Sequence, residues 1–422
     1  MESAAISVVA LCVSVFIGFC TRINLGIICI GSAFLTGYFL IGMNPADIYM
    51  KGFPLRLFFL LLGTTLFSSI AKLNGTYAEL AKPIACLTRG NRKYACFVIY
   101  AISFVFSALG MGTIVTPAIL LPLMLEAARK DEIPEFLAIL LTLSGCIAGG
   151  LSALAPTGML GIRLSQTIGV SEYAPVYIAS VVTFSLQGLI FFVLFGGLRL
   201  TRLRWKTPEP MILNGGQFFT IMTAFGVITA IMAFRLDLGL SAFVGSTLLL
   251  LCGITNQDRA LAGVAWDALL LLSGVSVLFY VVSESRGIPV LEAYLIRKMS
   301  PETAGVLTAF LAGAMSLVSS SSVVVMPTLI PTVQDIVRSL GESSVSPTYL
   351  TAAILIGTHS VAYSPVSTMG ALGMASSSTD TNRHRLFTKL LLASAMMLLV
   401  TGLLFWSGFY EFLLKGLLSE RA

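Results

Sequence analysis

The chain has 422 residues, of which 56% are hydrophobic and only 11% charged; a soluble domain of that length cannot bury so much apolar surface, so this is a polytopic membrane protein. The formal net charge of +6 is spread over loops with no basic run interleaved with aromatics, which excludes a nucleic-acid module. Seven scattered cysteines, never spaced as metal pairs, read as small core residues.

In chain order, Met1-Glu2-Ser3 lacks the positive region and cleavage site of a signal peptide, so residues 4–20 read as a first transmembrane helix. Further spanning runs fall at 24–42 and 54–73. Residues 76–93, with Lys82, Arg89, Arg92 and Lys93 around Tyr77, Leu80 and Ile84, are too polar to cross and suit an interfacial helix. Residues 94–128 consist of two short apolar arms around Leu109 to Thr113. Neither arm can cross alone, so a re-entrant hairpin is expected, with one glycine-kinked span as the alternative. A broken segment at 135–168 and a plain span at 174–197 complete the first half, 1–198, and a basic linker at 199–215 leads into the second, 216–422.

The second half repeats the first. Arg22-Ile-Asn-Leu-Gly26 returns as Arg235-Leu-Asp-Leu-Gly239, Gly63 as Gly274, Gly75 as Gly287 and Pro117 as Pro327. Gly145, Ser152, Gly158 and Gly161 match Gly357, Ser364, Gly370 and Gly373 at a constant offset, 370 − 158 = 212. Spans are expected at 216–234, 237–254, 265–283 and 387–412, with a hairpin at 303–339 and a broken helix at 348–374. The fold class is therefore all-α, with about ten transmembrane helices in two inverted five-helix repeats, each holding a re-entrant hairpin and a broken helix. With the N-terminus outside, most of the 26 Lys and Arg fall on the inner side, so both termini are expected outside a cytoplasmic membrane.

Chemistry concentrates where helices stop at mid-membrane. At the first tip stand Met111, Gly112, Thr113 and Thr116, and at the second Ser319, Ser320, Ser321 and Ser322. Helix N-termini carry free N–H groups and partial positive charge, so two such ends with hydroxyls suit an anion; close packing through small residues is the alternative. Thr157 and Thr368, at the two broken segments, are expected to join this substrate site. The unwound stretches, with Gly149, Gly150, Ser152, Pro156 and Gly158 in one half and Ser364, Pro365, Ser367 and Gly370 in the other, offer carbonyls and hydroxyls suited to sodium. His359 is the only ionisable side chain in the two unwound cores and their lead-in turns. It either carries a coupling proton or hydrogen-bonds a neighbouring carbonyl. Because the hydroxyls complete a sodium shell without a titrating group, sodium is the favoured coupling ion. Arg163 either pairs with a substrate carboxylate or snorkels to the interface, and Asp267 and Glu284 read as interfacial.

Arg22 to Gly26, Gly52-Phe53-Pro54, Asn74-Gly75 and the following hairpin with Gly149-Gly150 resemble the N-terminal region of the bacterial malonate carrier (MatC) family, over roughly residues 1–170. More loosely, the whole chain resembles the ion transporter superfamily that includes the divalent-anion/sodium symporters. In those symporters each tip bears Ser-Asn-Thr; the matching positions here read Gly112-Thr113-Ile114 and Ser321-Ser322-Val323, without the asparagine. The resemblance implies an elevator-type, usually homodimeric secondary transporter of a small dicarboxylate such as malonate or a C4 acid, coupled to sodium or protons. A cation/proton antiporter or oxyanion exporter of the same superfamily is the alternative, but an antiporter needs a buried Asp or Glu that neither broken segment holds. No cofactor or nucleic-acid partner is expected. An intramembrane hydrolase is disfavoured: the chain has two histidines, His359 and His384, and Ser360 beside His359 points about 100° away on a helix.

Overall fold

In the computed structural model the described residues are 2–21, 23–203, 210–285, 299–318, 321–341, 345–378 and 381–419. Arg22, Arg204, Lys206, Gly287, Ser319 and Ser320 lie outside them. The described chain is helical throughout, with six runs long and apolar enough to span and several shorter apolar helices.

The first half contains α1 (Glu2–Cys20), α2 (Leu25–Phe34, prolonged by a π-helical turn Leu35–Leu40), α3 (Pro45–Gly52), α4 (Leu55–Leu73), α5 (Thr76–Thr88), α6 (Arg92–Phe106), α7 (Gly112–Lys130), α8 (Glu135–Gly150), α9 (Pro156–Thr167) and α10 (Ala174–Leu194). The second contains α11 (Gly215–Phe234), α12 (Leu238–Leu251), α13 (Gln257–Ala262), α14 (Trp266–Glu284), α15 (Ala304–Val318), α16 (Met326–Leu340), α17 (Pro347–Ser360), α18 (Thr368–Ser376), α19 (Arg383–Trp406) and α20 (Phe409–Ser419). Caps explain many of the starts. Asn24, Asn44, Asn91, Asp237, Asn256 and Asn382 each accept a backbone N–H in the first turn of α2, α3, α6, α12, α13 and α19.

Three of these elements, α3, α13 and α20, differ from the sequence expectation. The loops after α2 and α12 carry short helices, α3 and α13, because Asn44-Pro45 and Asn256 are N-cap signals. The last run, expected to be continuous over 387–412, stops at Trp406; Gly408, with φ of +73°, turns the chain into α20.

The run from α6 to α7 is not one rod. A π-helical turn at Ser107–Met111 holds Gly110 at φ +122°, and Gly112 follows at φ +71°, so α6 and α7 are two arms that pack on each other and on α8. In the second half a π-helical turn at Ser321–Val325 leads into α16.

Two sets of helices emerge. In one, α2 packs on α14 and α4 on α12, with α1 and α11 against α2 and α12. In the other, α6, α7 and α10 surround α8, while α15, α16, α10 and α19 surround α17. The seam between the sets runs where α5 and α4 meet α7 and where α14 meets α18. Helices α8 and α17 are the core: every residue from Leu137 to Ser152 and from Tyr349 to Ser367 is buried. At one end of the bundle the Lys82 ammonium, bonded to Glu79 at 2.8 Å, holds that carboxyl below its usual range.

The crossings of the first set depend on glycine. A Cβ on Gly274 would sit 2.0 Å from the Gly26 carbonyl oxygen, and one on Gly63 2.3 Å from that of Gly239. Small residues allow such backbone approach, and this dispersion packing drives helix association where lipid removes the hydrophobic drive. Gly274→Ala or Gly63→Ala should therefore destabilise the protein by about 1–3 kcal/mol or more, read as a lower melting temperature in detergent. Gly31, on α2 with nothing within 4 Å of its Cβ position, is the control: Gly31→Ala should melt as wild type. An unchanged melting temperature in both crossing variants would contradict this packing.

Candidate functional site

Helices α8 and α17 both stop inside the core, and α9 and α18 resume after short turns. The matched glycines make the restart possible. A Cβ on Gly158 would lie 1.9 Å from the Ser152 carbonyl oxygen, and one on Gly370 1.9 Å from that of Ser364. Gly149 and Gly150 serve a second close approach: their Cβ positions fall 2.2 Å from the Phe104 carbonyl oxygen and 2.5 Å from Thr113 Cγ2, which seats the first hairpin on α8. Ser107 Oγ donates to the Cys146 carbonyl at 2.6 Å and Ser152 Oγ to that of Ala108 at 2.7 Å, sewing tip and break together.

The breaks themselves are largely satisfied. Ser367 Oγ donates to the Ala362 and Ser364 carbonyls at 2.6 and 2.8 Å while accepting from Gly370 N–H at 3.1 Å, and so caps α18. Ser364 Oγ accepts from Val366 N–H at 3.3 Å, and Tyr173 Oη donates to the Leu151 carbonyl at 3.2 Å.

The starts of four helical segments meet here. Thr113 at the start of α7 and Thr157 at the start of α9 are hydrogen-bonded through their hydroxyls at 2.9 Å, and Ser322 reaches Thr157 at 3.4 Å. A cavity of about 30 Å³ is lined by Thr113, Ile114, Ser321, Ser322, His359, Ala362, Ser367, Thr368 and Met369. Ser321 Oγ also shares a hydrogen bond with Ser316 at 2.7 Å.

His359, only 1% exposed, is oriented by its own helix: Nδ1 lies 2.9 Å from the Leu355 carbonyl. A carbonyl only accepts, so Nδ1 carries the proton and the neutral ring's Nε2 is an acceptor. Among the described residues Nε2 has no hydrogen-bond partner. Among the described residues no Lys, Arg, Asp or Glu lines the cavity, and there is no cluster of metal-ligating side chains.

The structure thus brings Thr113, Thr157, Ser321, Ser322, Ser367, Thr368 and His359 together. Ser320 lies outside the described residues. Met111, Thr116, Ser152 and Ser364 are buried nearby without lining the cavity, and Pro156 packs its ring beside Gly112. Pro365 is buried within the second break, and Arg163 points to the exposed side of α9. Asp267 pairs with Arg383 at the molecular surface, 3.5 Å away.

Sequence reasoning missed one network. Gln187 on α10 donates to Ser360 and Thr401 at 2.9 and 3.1 Å and accepts from Tyr363 Oη at 3.1 Å, while Tyr363 also meets Ser144 Oγ at 3.0 Å. All five are buried, and Tyr363 lies within the second break, so α8, α10 and α19 jointly fix its shape. A lone glutamine in the apolar run Ala174–Leu194 was the available signal.

Helices that are long and apolar enough to span, with others that break in the core and face one another through hydroxyls, define a multi-pass membrane protein, and the family matches are to membrane transporters. Residues 1–150 match the family model for the N-terminus of the dicarboxylate carrier protein MatC, and residues 227–420 match the citrate transporter model CitMHS. No curated protein matches the chain significantly. The first part of the chain is thus similar to dicarboxylate carriers and the second to citrate transporters, both families of membrane carriers for organic acids.

Proposed function

We propose that the protein is a secondary active transporter of a small dicarboxylate, malonate or a C4 acid, working by an elevator mechanism and driven by sodium or protons. The observation that carries this reading is the meeting of the α7 and α18 starts and the Ser321–Val325 turn around one hydroxyl-lined cavity, with the α9 start hydrogen-bonded to it through Thr157. Helix starts supply positive potential for a carboxylate, and hydroxyls orient it. The cavity has room for only a few water-sized groups, so a diacid enters only when the tips part. Motion between the two helix sets fits that need, and the seam along α7 and α18 is where the elevator would slide. The lone pairs of Ser152 and Ser364, with Ser367 and Thr368, are the sodium ligands on this reading. A homodimer is what the resemblance to the superfamily implies.

The transport domain and scaffold each draw on two inverted repeats, 1–198 and 216–422. Support comes from the matched crossings: Gly26 meets Gly274 just as its counterpart Gly239 meets Gly63, the counterpart of Gly274. The caps correspond too, Asn24 bonding the Asp267 carbonyl and Asp237 pairing with Arg56.

Counterflow in proteoliposomes with labelled malonate, succinate and citrate, with and without sodium, tests the function. Exchange of malonate or succinate is expected, and Thr113→Val and Ser321→Ala should each weaken binding by about 0.5–3 kcal/mol in folded protein. Exchange of none of the three acids would refute the function; full affinity in both variants would move the site elsewhere.

Inversion has its own test. Single cysteines introduced as Asn44→Cys and Asn256→Cys should react with impermeant thiol reagents from opposite faces, Asn44→Cys from outside. Labelling of both from one face would sink the inverted repeat.

A further inference from the structure

We infer that the site takes its substrate as the hydrogen dicarboxylate: one carboxylate at the helix starts, and the other end as a carboxylic acid whose O–H donates to Nε2 of His359. The inference rests on the dicarboxylate reading above and specifies which protonation state that site selects.

The local chemistry is asymmetric. At the helix starts, Thr113, Ser321, Ser322 and Thr368 offer hydroxyl donors beside N-terminal backbone, which suits one negative charge. His359 presents the opposite polarity. Its Nδ1–H is committed to the Leu355 carbonyl, so the neutral ring can only accept at Nε2, and that atom is buried and unpartnered among the described residues. A buried acceptor left without a donor is unfavourable. A carboxylate aimed at this lone pair would be repelled, whereas a carboxylic acid satisfies it.

A second full negative charge also finds no cation at the site. Of the elements packed against α17, α15 and the Ser321–Val325 turn carry no titratable side chain among the described residues. Arg163 on α9, Tyr177 on α10, Asp335 and Arg338 on α16, Arg383, His384, Arg385 and Lys389 on α19, and Tyr410, Glu411 and Lys415 on α20 all fail to line the cavity, as does Tyr349 on α17 itself. Two charges in a medium of low dielectric with one set of dipoles to face them carry a desolvation cost that protonating one end removes. The proton arrives on the substrate and leaves with it, so each transport event carries one proton without any change in the protein's own charge.

Three ligands in wild-type protein separate the possibilities: malonate, its monoamide and its monomethyl ester, each measured by competition against labelled malonate in proteoliposomes over a pH range spanning malonate's second ionisation. The monoamide keeps one carboxylate and a permanent N–H donor; the ester keeps the carboxylate but only acceptors. Malonate affinity should fall about tenfold per pH unit above its second ionisation, following the monoprotonated fraction. The monoamide should bind with unchanged affinity over the same range, and the ester about tenfold or more weaker than the amide. In His359→Phe, which keeps a ring but no acceptor, the preference for amide over ester should vanish. Ester binding equal to amide binding in wild type overturns the inference and assigns a protonated His359 that donates to the substrate. Malonate affinity independent of pH overturns it in favour of a dianion, with the dicarboxylate function intact. Binding of no dicarboxylate at any pH removes both the function and this inference.

Discussion

A backbone amide that leaves its helix inside a membrane must find another partner, and the architecture follows from how this chain meets that demand at two places. Between α8 and α9, and again between α17 and α18, tight turns and side chains answer for the lost helical bonds: Ser367 caps α18, Tyr173 covers the Leu151 carbonyl, and the Gln187 network holds Tyr363. Ser367 acts within its own break, but Tyr173 and Gln187 come from other parts of the chain, so the breaks depend on the assembled bundle. That is why α8 and α17 are buried along nearly their whole length although each is short for a spanning helix.

The same constraint produces the site. Once α9 and α18 must restart in the core, their first turns face whatever fills the space between them, and the hairpin tips bring Thr113 and Ser322 to that point. Glycines at 149, 150, 158 and 370 are then needed for approach, since each Cβ would fall under 3.0 Å from a backbone or side-chain atom. Their part in ion binding is a separate proposal; their part in packing is visible. His359 differs from the rest because Ile147 occupies the matching position in the first half, so the site has its histidine on one side only.

Much of this was legible in the sequence. Gly, Pro and Ser clusters inside apolar runs marked both breaks and both tips, because nothing else interrupts a membrane helix so abruptly. What was not legible is long-range. Nothing local says that Gln187 reaches Tyr363 across 176 positions, or that Nδ1 of His359, and not Nε2, takes the carbonyl. The short helices α3 and α13 were read as loops, although Asn44-Pro45 and Asn256 are cap signals, because hydropathy dominates the reading of membrane chains. The turn at Gly408 was overlooked for the same reason.

The claim on which the functional account depends is that tips and breaks enclose the substrate. Met369 lines the cavity, whereas Leu251 is 81% exposed at the end of α12. In a cysteine-free background, Met369→Cys and Leu251→Cys can each be labelled with a small thiol reagent at increasing malonate. If malonate sits among the four helix starts, saturating ligand slows labelling of Met369→Cys and leaves Leu251→Cys unaffected; an unchanged rate at Met369→Cys, in protein shown to bind malonate, would contradict the site.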